Sequence, residues 1–244
     1  MARKKIAALH ALLILSFALS GCISENNKSN YSSDDSSPGV PEYFEDGIFT
    51  CLDHDNMTRC WQTHIPENLD PTTSVPLIVD MHGFGSDSTE QKHMSAFDTI
   101  ADDEGLIVVY PDGDSSVDKL TGNINQAWNA GWCCSHSVNE DIDDVGFIEK
   151  MIEVVIEKYN IDTNRIYASG WSNGCAMSQR LAMESSHIFA AVGCMSMYLL
   201  TEHTANYSPI PIMEVHGFLD QVVLYESTVL SVPWNKEMWK NPEA

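Results

Sequence analysis

A chain of 244 residues with 43% hydrophobic and 20% charged content is long enough to bury the core of one sizeable domain. Its formal net charge of −22 opposes binding of nucleic acid or of an anionic membrane by the domain itself. So acidic a surface reads as a solubility device.

Residues 1–21 have the layout of a signal peptide, with Arg3, Lys4 and Lys5 ahead of the short apolar run IAALHALLILSFALS. That run falls short of the roughly 18 to 20 apolar residues a spanning helix needs. Leu19-Ser20-Gly21-Cys22 resembles a bacterial-type lipobox, which makes Cys22 the expected lipidated N-terminus. Residues 22–41 are rich in Ser, Asn and Asp and nearly free of large apolar side chains, so they are expected to form a flexible tether. The only membrane contact expected is through that anchor, which places the protein outside the cell or on its envelope.

The domain proper is expected over residues 42–244. RCWQTHI and VPLIVDMHG read as strands, residues 89–104 as one helix, and LIVVYPDG as a third strand. A long polar loop is expected from Ser115 to Asp141, followed by helical spacing in VGFIEKMIEVVIEKY. RIYAS reads as a strand, a helix runs on to about Ser185, and FAAVGCM and IPIMEVHG complete the series as strands. Short β-branched runs alternating with helices predict an α/β fold with a doubly wound, mostly parallel sheet covered on both faces. No internal repeat or second domain is apparent.

Setting Cys22 aside, six cysteines remain, an even number that suggests disulfides in an exported chain. Cys51 and Cys60 flank the turn-like LDHDNMTR and are the one pair expected to join, across a hairpin. No CxxC pair occurs, so no metal site is expected.

The chemistry concentrates in Gly170-Trp171-Ser172-Asn173-Gly174. GxSxG is weak evidence alone, but here a strand leads in and a helix leads out, the layout of a nucleophile elbow. Ser172 is therefore the candidate nucleophile. The oxyanion-hole donors expected are the backbone N–H groups of Asn173 and of Phe84, the latter in the Gly83–Gly85 loop after an earlier strand. Asp220, in IPIMEVHGFLDQVV, is the candidate acid in the Ser…Asp…His order. His82 and His216, each in a His-Gly at a strand end, are read as loop-orienting or structural. Trp171, Trp128 and Trp132 are the candidate substrate-lining aromatics. No metal or organic cofactor is needed for this chemistry.

WNAGWCC, DDVGFIEKMIE, YNIDTNRIYASGWSNGCAMSQRLA, FAAVGCMS and VHGFLDQVV resemble the extracellular polyhydroxybutyrate depolymerase and feruloyl esterase group of carbohydrate esterase family one, over roughly residues 45–225. The resemblance implies an α/β-hydrolase that cleaves carboxylic esters, with Ser172 and Asp220 at the nucleophile and acid positions. It implies as substrates feruloyl or acetyl esters of polysaccharides or polyhydroxyalkanoate-type polyesters, polymeric or oligomeric. It also implies a histidine after the acid, whereas Gln221–Ala244 contains none. The chain is thus expected to be C-terminally incomplete, lacking its last strand and helix, and inactive as it stands. The contrasting expectation is a non-catalytic surface binding lipoprotein on a hydrolase scaffold. Oligomeric state is not legible.

Overall fold

The computed structural model describes residues 39–117, 124–199, 201 and 207–225. The signal segment, Cys22 and nearly all of the tether lie outside the described residues. In chain order the elements are β1 (Tyr43–Asp46), β2 (Phe49–His54), β3 (Met57–His64), β4 (Val75–Met81), α1 (Ser88–Ser95), α2 (Phe97–Glu104), β5 (Ile107–Pro111), β6 (Asp114–Val117), β7 (Ile124–Ala127), α3 (His136–Asn139), α4 (Asp144–Lys158), β8 (Ile161–Trp171), α5 (Asn173–Glu184), β9 (Ala191–Met195) and β10 (Ile212–Val215).

Eight strands form one sheet in the order β1-β2-β3-β5-β4-β8-β9-β10. The first three are antiparallel to their neighbours, and β3 also meets β5 antiparallel. From β5 through β10 every pairing is parallel. Alternation along β5 shows why helices cover both faces. Ile107 and Val109 join the large core cluster with Phe147 and Met151 of α4 and Met177 and Leu181 of α5. Val108 and Tyr110 point the other way, to a smaller cluster with Ala101 of α2. A strand buried on both sides has no polar face to spare, which explains its continuous apolar run. This is the α/β-hydrolase architecture expected.

Asp55 and Asn56 both take positive φ, 50° and 62°, as a two-residue hairpin turn matched to strand twist requires. That turn sets the register placing Cys51 opposite Cys60, and the two form a disulfide. Cys175 with Cys194, and Cys133 with its neighbour Cys134, account for the remaining four.

Two sequence expectations change. The single helix over 89–104 is broken at Ala96, whose φ of 52° is left-handed and ends α1 while starting α2. The break lets α1 aim Gln91 at Asp80 while α2 sets Phe97 and Ala101 on the smaller cluster. The polar stretch after Ser115 is not one open loop either. β6 and β7 pair as an antiparallel ribbon and α3 follows.

The buried pair Arg59 and Asp144 fixes the base of this region. Arg59 Nη2 donates to Asp144 Oδ1 at 2.6 Å, and Asp144 Oδ2 accepts the Asn129 N–H at 2.7 Å. Burial pushes the Asp144 carboxyl up, against the opposing pull of the guanidinium. Arg59→Met leaves that carboxyl 0% exposed with no counter-charge beside it. It is expected to cost about 3 kcal/mol or more, read as a lower urea midpoint.

Candidate active site

β8 ends at Trp171 and α5 begins at Asn173, so Ser172 alone makes the turn between them. Its φ of 53° and ψ of −119° lie in a region that non-glycine residues avoid, and such strain is held only where the surroundings over-determine it. The surroundings here are backbone. Ser172 N–H donates to Met195 O at 2.8 Å, and Ser172 O accepts from the amides of Cys175 and Ala176. Gly174 lies directly against the carbonyl oxygens of Met81 and His82, and Gly170 against Gly174 and Met81 O, with no room for a Cβ at either position. The first amides of α5 have no intrahelical acceptor, so the positive helix end sits beneath Ser172. Asn173 N–H belongs to that first turn.

The loop after β4 approaches from the side. A Cβ on Gly83 would come within 2.9 Å of the Trp171 ring, so glycine lets this loop close on the elbow. Gly85, at φ 75°, donates its N–H to Gln126 O of β7 at 2.8 Å, which holds Phe84 between two fixed glycines. His82 is fully buried and locked. Its Nδ1–H donates to Gly83 O at 2.7 Å, and its Nε2 accepts the Gly113 N–H at 2.9 Å. With both nitrogens spent on backbone, this imidazole orients the loop and has no lone pair for a base.

The side chain of Asn173 was not singled out by sequence, and no local signal marks it. Its Oδ1 accepts the Trp128 N–H at 2.7 Å and its Nδ2 donates to Trp128 O at 3.1 Å. The Trp128 indole N–H donates in turn to His82 O at 3.0 Å. The loops after β4, β7 and β8 are thereby tied into one unit. Trp128 is consequently not a substrate-lining residue: it is 0% exposed, its ring packed on His82 at 5.1 Å between centroids. Trp171 and Trp132 are 40% and 43% exposed and remain available to a ligand.

Asp220 lies on the loop after β10, two strands from the elbow. The strand ends step across in sequence: Ser172 N–H to Met195 O of β9, then Ser196 N–H to Val215 O of β10. Asp220 Oδ1 accepts the amides of Val222 and Val223 at 2.8 and 2.9 Å, and Oδ2 stands 3.6 Å from His216 Nε2. His216 bonds Val223 O at 2.7 Å and Glu214 Oε1 at 3.1 Å, and stacks on Tyr198 at 4.9 Å. It clamps the acid loop. The structure thus sets Ser172, Asn173, Phe84 and Asp220 at the carboxyl ends of parallel strands, where open α/β sheets bind ligands.

His54, Asp55 and Asp143 bring three potential metal-ligating atoms close together. His54 Nε2 is bonded to Asp143 Oδ2 at 2.9 Å and its Nδ1 to Lys150 Nζ at 2.9 Å. An ammonium against the same ring makes this an ion-pair network rather than a cation cradle.

Two buried groups on β4 and its loop titrate in opposite senses. Burial pulls His82 from 6.5 down to about 4, and burial pushes Asp80 from 3.8 up to about 6, with a Gln91 hydrogen bond restraining it. The His82 contribution to stability is complete above about pH 6.5 and is lost as pH falls through about 4. The Asp80 contribution is complete below about pH 3.8 and is lost as pH rises through about 6. Each is on the order of 3 kcal/mol, so they nearly cancel over one window. Asp80→Asn removes one side of that balance. It is expected to exceed the parent by about 3 kcal/mol at pH 8 and by under about 1 kcal/mol at pH 4, in urea unfolding at both pH values.

The chain is 28% identical over 163 residues, 67% of its length, to a bifunctional acetylxylan esterase/xylanase of Neocallimastix patriciarum, of which it covers 22%. It is 28% identical over 176 residues to feruloyl esterase B of Piromyces equi, covering 70% of this chain and 31% of that protein. The chain therefore spans less than a third of these curated relatives. A solved thermostable esterase shares the fold at a TM-score of 0.52 and 20% identity, over 72% of this chain and 48% of that one. The phospholipase/carboxylesterase family model matches residues 65–244. With its parallel sheet and strained strand–serine–helix turn, the chain belongs to the phospholipase/carboxylesterase family of α/β-hydrolases.

Proposed function

We propose that this protein is an extracellular, lipid-anchored serine esterase that hydrolyses carboxylic esters. The observation that carries the reading is the backbone of Ser172, held at a strained angle on the strand–helix turn. In this reading a base takes the Ser172 proton as the hydroxyl attacks the ester carbonyl. The Asn173 and Phe84 amides hold the oxyanion, the alcohol leaves, and water repeats the attack to release the acid. Asp220 orients the base and stabilises the imidazolium that forms. His82 and His216, on the loops flanking the elbow, have both ring nitrogens engaged. Neither of these two is therefore assigned as the base.

The substrate class proposed is an ester on a polysaccharide, of the feruloyl or acetyl kind named in the relatives, with polyhydroxyalkanoate-type polyesters as the rival. Trp171 and Trp132, half-exposed, supply surfaces for a ring or a chain. Six cysteines joined in three disulfides support an oxidising compartment. A fluorophosphonate probe tests the assignment, because it marks a serine activated in its elbow. Mass spectrometry should find the adduct on Ser172. An unmodified Ser172 sinks the catalytic reading and favours a surface binding protein.

A further inference from the structure

Residues Gln126 to Trp128, where β7 ends, are bonded to both loops that carry the candidate oxyanion donors. On the elbow, the Asn173 carboxamide engages the Trp128 backbone twice, accepting its N–H at 2.7 Å and donating to its carbonyl at 3.1 Å. On the loop after β4, the chain is held on each side of Phe84. The Trp128 indole N–H donates to His82 O at 3.0 Å, and Gln126 O accepts the Gly85 N–H at 2.8 Å. Gly174 backs onto that same His82 O, so the indole fixes the atom that spaces one loop from the other.

This strap is itself pinned. Ser137 Oγ of α3 donates to Ala127 O at 3.0 Å, Asp144 Oδ2 of α4 accepts the Asn129 N–H, and Arg180 Nη1 of α5 donates to Asn129 O. Trp128, Asn173 and His82 are each 0% exposed, which keeps water from competing for these bonds. A loop that needed only to be stable could be tied to the body anywhere along its length. These bonds fall instead on the residue of one donor and on the residues flanking the other.

We propose that Trp128 is a positioning residue of the oxyanion hole: through Asn173 on one side and His82 on the other, it fixes the spacing of the Asn173 and Phe84 amides. The inference rests on the ester-hydrolase reading and goes beyond it, giving a fully buried tryptophan a part in the rate without contact with substrate. Two donors converge on one oxygen only if they are placed before the charge develops. Removing a donor outright costs about 100- to 1000-fold, and displacing a group by about 1 Å can cost about 100-fold.

Saturation kinetics of Ser172 with a fluorophosphonate separate the probe's binding from its reaction. In that reaction the Oγ–P bond forms, the P–F bond breaks with fluoride leaving, and the serine proton passes to the base. The phosphoryl oxygen takes up charge in the oxyanion position meanwhile. Trp128→Phe keeps a ring but loses the indole N–H, and Asn173→Asp loses the N–H given to Trp128 O. Each is expected to lower the maximal labelling rate about 10- to 100-fold, with the half-saturating concentration within about threefold. Both variants cut the same strap, so the double variant should be at most about threefold slower than the slower single. Val155→Ala truncates a fully buried side chain in the last turn of α4, at the opposite end from Asp144. It should lower the thermal midpoint yet keep the labelling rate within about twofold, which a merely structural role for Trp128 would not distinguish. Should Trp128→Phe fail to fold, Asn173→Asp carries the test. With the parent labelled, a rate that moves less than about threefold in a folded single variant, or effects that multiply in the double, overturns the positioning role alone. An equal loss in Val155→Ala does the same. A parent left unlabelled at Ser172 removes the esterase reading and this role with it.

Discussion

Ser172→Ala is expected to abolish fluorophosphonate labelling and to lower ester turnover on the order of a million-fold. The size follows from the groups acting as a unit: without the nucleophile, the oxyanion donors and the acid retain only the residual catalysis of a binding site. Folding should be untouched. The hydroxyl is not among the groups that hold the turn, which is fixed through the Ser172 backbone by Met195 O and the amides of Cys175 and Ala176. Alanine at φ 53° keeps a Cβ of the same size, so thermal midpoints within a few degrees of the parent are the matching control. Turnover comparable to the parent's, with an intact fold, is the result that ends the Ser172 assignment.

Gly174→Ala is expected to do the opposite, destroying the fold before the chemistry. The added methyl would be driven into the Met81 carbonyl and to 2.6 Å from His82 O. Both oxygens belong to β4 or its loop, in the centre of the sheet, and neither is the free end of a side chain that can move aside. α5 would have to lift from β4, uncovering Met177 and Leu181, both 0% exposed. A loss of about 4 kcal/mol or more is expected, in the range reserved for core overpacking and strain, and most of a domain's margin. The measurement is the soluble yield and the urea midpoint of the variant. A shift under about 1 kcal/mol would show that α5 and β4 are not in this close contact.

These two positions show what was legible in the sequence. The elbow was, because a glycine-flanked serine between a β-branched run and a helical pattern leaves few other backbones possible. The parallel strands were, since VPLIVDM and LIVVYP can be buried on both faces only in a covered sheet. The break at Ala96 was not, for alanine is the best of helix formers and only tertiary packing of Gln91 and Phe97 on different partners forces its left-handed turn. Nor was the burial of Trp128. An aromatic in a polar stretch looks like a ligand platform until Asn173, 45 residues away, is seen bonding its backbone on both sides. Ribbon β6–β7 went unread for a related reason: Ser, Asn and Asp dominate it, and its pairing depends on Gly85 and Gln126 meeting across the elbow's rim.

The link between Cys175 and Cys194 has a practical bearing on how the protein is made. It bridges the first turn after the serine to the neighbouring strand, 19 residues on, and such a staple removes about 3 kcal/mol of freedom from the unfolded chain. A bacterial cytosol rich in glutathione keeps both sulfurs as thiols. Recombinant material from that compartment should emerge with a loosened helix start and low yield, while periplasmic export should restore it.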